Sequence, residues 1–229
     1  MSEDVVLVED LEVRHSASFR LEVERLSIRG GESLACIGPS GSGKTTLLQV
    51  VAGLHVPHRG RVRTAGVDLG GLGDAERRRL RRTSIGFVFQ EFELLDYLDA
   101  LDNILAPFWI GSGPGAEDRD RARELAAELG LGSLLHRRPG RLSQGERQRI
   151  AIARALVTQP KLLLCDEPTG NLDPATTSET LELILGQAAG RGAAVMLVTH
   201  DQSLLGRFDA SIDLGSTRRV RATSGGGEG

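Results

Sequence analysis

Residues 38–45 read Gly-Pro-Ser-Gly-Ser-Gly-Lys-Thr and fit the pattern G-x-x-x-x-G-K-S/T at every fixed position. No other stretch constrains the chain as much, because this pattern works only where a strand hands over to a helix. Both neighbours are present. The apolar run Ser33-Leu34-Ala35-Cys36-Ile37 precedes the octet, and residues 46–52 follow with helical character. Gly38, Gly41 and Gly43 let successive backbone N–H groups curl around phosphate oxygens, where a Cβ would obstruct the curl. Pro39, Ser40 and Ser42 complete the loop. The N-terminus of the next helix, at Thr45 and Thr46, adds a partial positive charge at the same point. Lys44 is placed to reach β- and γ-phosphates, and the Thr45 hydroxyl to ligate Mg²⁺.

Composition bounds the rest. The chain has 229 residues, a formal net charge of −3 and 40% apolar residues. That suits one domain with a substantial core and excludes nucleic-acid binding through a broad basic surface. No apolar run approaches the ~18–20 residues that span a bilayer. The start, Met1-Ser2-Glu3-Asp4, lacks a signal-peptide pattern. The expectation is a cytoplasmic protein without direct membrane insertion. Cys36 and Cys165 lie in apolar runs and read as core residues.

Strand-like and helix-like segments alternate, implying an α/β fold with a mostly parallel sheet. The pattern predicts strands at 5–13, 19–24, 33–37, 60–65, 85–89, 161–165, 193–199 and 208–214. It predicts helices at 74–82, within 101–129, and at 143–157 and 174–189. The strand-poor stretch 91–159 reads as an inserted helical lobe. A single domain over 1–215 is expected, with residues 216–229 a disordered Gly-, Ser- and Arg-rich tail.

Leu162-Leu163-Leu164-Cys165-Asp166-Glu167 is an apolar strand ending in two acids. Buried carboxylates need a cationic partner. Asp166 suits Mg²⁺, while Glu167, facing the other way, can act on a water. Such a pair alone is as often the start of a turn. Asp173-Pro174 reads as a helix N-cap and first position. His200 follows a strand, where a lone His is usually structural. Ser143-Gln144-Gly145-Glu146 opens a helix. The Ser143–Glu146 pair is a complete capping box, and the same N-terminus could also grip an anion.

Together these residues resemble the nucleotide-binding subunit of ATP-binding cassette (ABC) transporters, from about residue 5 to 214. The motifs occur in that family's order: the P-loop, Gln90 of the Q-loop, the signature at 142–146, Asp166-Glu167, the D-loop at 171–173 and the switch His200. The runs Gly86-Phe87-Val88-Phe89-Gln90 and Gly145-Glu146-Arg147-Gln148-Arg149, leading to Ala153-Arg154-Ala155-Leu156, look most like the lipoprotein-releasing and macrolide-exporter branch.

The resemblance implies a P-loop NTPase core with a mixed, mostly parallel sheet, an N-terminal antiparallel β-subdomain and an inserted helical subdomain. It implies an ATPase that closes as a homodimer around two ATP molecules with Mg²⁺ and drives a separate membrane-spanning permease, held peripherally at the inner membrane face. Glu167 would be the general base. Gln90 would sense Mg²⁺ and the attacking water, and His200 would contact the γ-phosphate. Ser143 and Gly145, with Gln144 and Glu146, would meet the ATP held by the other subunit.

Two departures stand out. Gln144 and Glu146 replace a Gly and a Gln of the usual signature. At the adenine-stacking position His15 stands in place of an aromatic, often Tyr, with Phe19 as the alternative. The competing readings are a soluble ABC ATPase of DNA repair or translation, and an ATP-dependent scaffold or regulator of a membrane complex with little transport. This chain has one cassette and none of the long insertions usual in the first class. The run Glu76-Arg77-Arg78-Arg79-Leu80-Arg81-Arg82 reads as a solvated helix face. With six Phe, one Tyr and one Trp in the chain, the group Phe87, Phe89, Phe92, Tyr97, Phe108 and Trp109 is a concentration. Phe87 and Phe89 read as core, and Phe92, Leu94, Leu95 and Tyr97 as an exposed docking segment for the membrane partner.

Overall fold

The computed structural model describes residues 4–16, 19–170, 172–215, 220–221 and 223–224; at 15, 16 and from 220 onward it describes backbone alone. Two sheets carry the architecture. In the first, β1 (Asp4–Ser16) pairs antiparallel with β2 (Phe19–Arg29) on one side and β4 (Arg59–Thr64) on the other. The two-residue strand β5 (Val67–Asp68) extends it past β4. Val6, Val8, Leu11 and Val13 of β1 are buried. They change phase between Val8 and Leu11, where Asp10 takes a left-handed φ of 48° and the register with β4 shifts.

The second sheet holds β3 (Ser33–Ile37), β6 (Ile85–Phe89), β7 (Leu162–Asp166), β8 (Ala194–Val198) and β9 (Ala210–Asp213), all mutually parallel, in the order β9-β3-β8-β7-β6. Alternate residues of each strand face opposite sides, and each side has its own core. Leu34, Cys36, Leu162, Leu164, Ala194, Met196 and Val198 pack toward the antiparallel sheet and helix α1 (Lys44–Val51). Ala35, Leu163, Cys165, Val195 and Leu197 pack toward helices on the other side. Strands buried on both faces read as continuous apolar runs, which is why 162–165 and 194–198 show no alternation.

Helix α2 (Asp74–Ser84) leads into β6. Between β6 and β7 come α3 (Ala100–Trp109), α4 (Ala116–Glu128), two short 3-10 turns and α5 (Gln144–Leu156), with no strand among the described residues. Ile104, Leu105, Leu125, Ile150 and Ile152 of this lobe join the same core as the sheet face, so it is packed onto the sheet rather than separate from it. Helix α6 (Pro174–Ala189) is capped by Asp173, whose carboxylate accepts from the N–H groups of Ala175 and Thr176 at 3.1 Å.

Four positions of the tail 216–229 are described. Val220–Arg221 forms β10 alongside β2, and Thr223–Ser224 forms β11 antiparallel to β9. Two-residue strands carry no period for a sequence reading to detect. The rest of that tail, and Asn171 of the D-loop, lie outside the described residues. Among the described residues no helix is long and apolar enough to cross a membrane.

Candidate functional site

Parallel strands end at one edge, and that edge gathers the sequence motifs. β3 runs into Gly38, β6 into Gln90, β7 into Glu167 and β8 into Thr199-His200. The register sets Phe89 beside Asp166, and Asp166 beside Val198. Main-chain bonds continue past the strands: Glu167 N–H donates to Val198 O, and Thr199 N–H to Cys36 O, both at 3.0 Å. Open α/β sheets bind ligands at this carboxyl edge.

The P-loop is a cradle shaped by glycine. Gly38, Gly41 and Gly43 take φ of 149°, 79° and 102°. A Cβ on Gly38 would fall 2.5 Å from Ser42 Oγ, and one on Gly43 would fall 3.1 Å from Phe19 Cζ. The Lys44 ammonium is held inside the loop, donating to Gly38 O at 2.8 Å and Pro39 O at 3.0 Å. An ammonium has three donors, so one remains for a ligand oxygen. Ser42 Oγ is buried without a hydrogen-bond partner among the described residues. A buried hydroxyl needs a partner, and a phosphate oxygen curled into this loop would supply one. Pro39, Ser40 and Gly41 are exposed, while Thr46 is half-buried behind them.

Thr45 Oγ1 lies 3.3 and 3.5 Å from the two carboxylate oxygens of Asp166. Burial raises the Asp166 carboxyl above its ordinary value, and the Glu167 charge adds to this, while the Thr45 hydroxyl and Lys44 oppose it. A hydroxyl and a carboxylate converging in this way form an all-oxygen donor set suited to a hard cation such as Mg²⁺, which takes few protein ligands and fills its shell with phosphate and water. Glu167 turns away from Asp166 on a left-handed φ of 46°, and its Oε2 lies 2.7 Å from His200 Nδ1. Gln90 approaches the same place: a Cβ on Gly170 would meet Gln90 Nε2 at 3.1 Å and Glu167 Oε2 at 3.4 Å. The structure therefore brings the P-loop, Asp166, Glu167, His200 and Gln90 to one edge.

The signature residues stand apart from it. Ser143 Oγ accepts from Glu146 N–H at 3.3 Å, and Glu146 Oε2 accepts from Ser143 N–H at 2.7 Å. That main-chain donation, with the Ser143 side chain, holds the Glu146 carboxyl below its ordinary range. No hydrogen bond joins 143–146 to the P-loop among the described residues. Ser143 and Gln144 are exposed, and Gly145 has open space where a Cβ would go. The backbone of His15 lies in β1, one residue before its end, but its side chain lies outside the described residues. Among the described residues, Phe19 is an aromatic that lies against the P-loop, at Gly43.

Three sequence expectations change. Phe92 is 8% exposed and therefore core, and Leu94 packs on the lobe. Phe89 is instead exposed, stacked on the half-buried Phe87 at 5.7 Å between ring centroids. Phe89 is the last residue of β6, itself the edge strand of its sheet. Phe89, Leu95, Tyr97 and Trp109 line a groove of about 980 Å³ that also reaches Thr45 and Asp166. Tyr97 and Trp109 are 70% and 54% exposed. The basic run of α2 is not simply solvated: Arg81 donates to Gly53 O, and Arg78, Arg81 and Arg82 line this groove. No period in the sequence marked these positions. Cys36 and Cys165 are core as expected, and burial pushes the Cys36 thiol up to about 12 and Cys165 higher still.

Comparison with known proteins agrees over most of the chain. Residues 21–170 match the family described as "ABC transporter". The lipoprotein-releasing system ATP-binding protein LolD of Paramagnetospirillum magneticum is 42% identical over 206 residues, covering 90% of this chain and 88% of that protein. The protein of the same name from Chromohalobacter salexigens is 46% identical over 198 residues, covering 86% and 84%. Among solved structures, the cassette MJ0796, dimeric and bound to ADP and Pi after hydrolysis, superposes with a TM-score of 0.79 at 32% identity, covering 97% of this chain and 100% of that one. The protein cbiO1 of Clostridium perfringens, part of an ABC transporter complex, gives 0.84 at 28% identity, covering 96% and 88%. A sheet edge built for phosphate and these matches along most of the chain have one meaning: this protein belongs to the ABC transporter family, as an ATP-binding, ATP-hydrolysing subunit.

Proposed function

We propose that the chain binds ATP with Mg²⁺ at the carboxyl edge, closes as a homodimer, and drives a membrane-spanning permease of a lipoprotein-releasing kind from the cytoplasmic face. The convergence of Lys44, Thr45, Asp166, Glu167, His200 and Gln90 at one strand edge carries this reading. Backbone N–H groups of 38–46 hold the phosphates, and Lys44 reaches their outer oxygens. Mg²⁺, held by Thr45 and Asp166 with Gln90 beside it, would neutralise charge between the β- and γ-phosphates. Glu167 takes the proton from the attacking water, and the imidazole 2.7 Å away orients that carboxylate. His200 then lies within reach of the γ-phosphate.

The second copy supplies what one chain lacks. Gly145 has no steric reason to be glycine here, and Ser143 is exposed at a helix N-terminus. Facing another copy's nucleotide, both serve as anion donors. The dimeric MJ0796 cassettes support this arrangement. The groove flanked by Phe89, Tyr97 and Trp109 takes a segment of the permease, since exposed aromatic patches of this kind mark interaction sites. The name shared by the relatives supports lipoprotein release as the process served.

Glu167→Gln tests the reading. ATP binding is expected to persist while hydrolysis falls by about two orders of magnitude or more, and an ATP-bound dimer should accumulate on gel filtration. Turnover near that of the unaltered protein would remove Glu167 from the role of base.

A further inference from the structure

Arg154, on α5, makes no ion pair among the described residues. Its guanidinium donates through one nitrogen to Glu93 O and through the other to Phe92 O, both at 2.5 Å. Those carbonyls belong to two consecutive non-glycine residues in the left-handed region, Phe92 at φ 62° and Glu93 at 48°. Such residues hold that conformation only where their surroundings impose it. Phe92 N–H donates to Phe89 O at 3.1 Å, closing a turn whose central residues are Gln90 and Glu91, and the left-handed pair follows directly from it.

Helix and strand are fastened beside this contact. A Cβ on Gly86 of β6 would fall 2.2 Å from Ala155 O, so α5 lies against β6 closer than any side chain would allow. Farther along, the buried Asn103 accepts from Leu95 N–H at 2.8 Å and donates to Leu95 O, Leu98 O and Asp99 O. The segment 92–99 is thus pinned at both ends. Arg154 also lines the groove, while the strand end it controls carries Gln90 to Glu167.

We propose that Arg154 is a positioning residue for hydrolysis: it holds the left-handed turn after Gln90, and through that turn it sets where the Gln90 amide sits and passes displacement in the groove to the phosphate edge. The planar fork matters, because one guanidinium satisfies two successive carbonyls in a fixed geometry, whereas an ammonium is a point donor. The inference rests on the role proposed for Gln90.

The test compares full-length Gln90→Ala, Arg154→Lys, Arg154→Ala and the double variant Arg154→Lys with Glu93→Asn. Asn tolerates the left-handed region better than Glu, so it should hold the turn without the fork. Arg154→Lys is expected to lower kcat about tenfold, with KM for ATP and melting temperature unchanged and faster amide exchange over 92–98. Glu93→Asn should restore much of that kcat. Unchanged kcat in a folded Arg154→Lys protein overturns the proposal. So does loss of melting temperature in both Arg154 variants without rescue, which would make the residue a structural clamp only. If Gln90→Ala leaves kcat intact, the Gln90 role fails and this inference with it. If Gln90→Ala lowers kcat and Arg154→Lys does not, this inference alone fails.

Discussion

The phosphate cradle and the signature helix are built in opposite ways. In the cradle, glycine is demanded inside one chain: Gly38 and Gly43 have positive φ and neighbours that a Cβ would strike. At the signature, Gly145 sits in a helix where a Cβ would find nothing within 4 Å, and Ser143 caps its own helix through its N–H and as an acceptor at Oγ, which leaves the hydroxyl proton to donate. The difference teaches where each chemistry is completed. The cradle works against its own strand ends, whereas in the proposed dimer the signature would act beyond capping only against the other copy.

The largest effects should break or sustain that contrast directly. Ser143→Asp keeps a good N-cap, so the melting temperature should hold. A carboxylate facing a phosphate should nevertheless cut turnover by about a hundredfold or more. Gly145→Ala should stabilise the helix by up to about 1 kcal/mol while also lowering turnover. ATPase assays beside thermal melts decide, and two stable, active variants would reduce the signature to a capping box.

A smaller loss is expected at the groove, which reaches Thr45 of the cradle and is not lined by the signature residues 143–146. Tyr97→Ala with Leu95→Ala should weaken copurification with the membrane partner roughly tenfold and leave nucleotide binding by the isolated chain intact. Equal retention of the partner, with a lower melting temperature, would make the pair part of the lobe core.

Within the cradle, Phe19 abuts Gly43, while His15 lies near the end of the neighbouring strand. Stacking on adenine is worth a few-fold to about tenfold in affinity. Nucleotide titration of Phe19→Ala and His15→Ala tells which ring is used: the variant that loses affinity with its fold intact names it, and no loss in either leaves the base unstacked.

The finest probe is pH. Burial raises the Asp166 carboxyl, so the folded chain keeps that proton to a higher pH than the unfolded chain does. Stability from this group is therefore fully present below the ordinary aspartate value and is lost as pH rises through the raised one. Without nucleotide, Asp166→Asn should melt a few degrees higher than the unaltered protein at neutral pH, and the gap should close on acidification. A gap that does not change with pH would locate the effect elsewhere.

Much of the site could be read in the sequence because each motif follows an apolar run. Asp166, Glu167 and His200 end buried strands, and the octet at 38–45 joins a strand to a helix. Local chemistry of that kind depends on neighbours a few residues away. The capping box at Ser143 and the Asp173 cap were legible for the same reason.

Tertiary structure alone decided the encounters. Thr45 meets Asp166 across 121 residues and Glu167 meets His200 across 33, because parallel register brings distant strand ends to one edge. It also decided which aromatics are exposed. Phe89, the last residue of β6, is exposed, while Phe92, three residues on, is buried. Hydrophobicity says that a side chain gains from burial; only the placement of neighbouring elements determines whether anything is there to bury it.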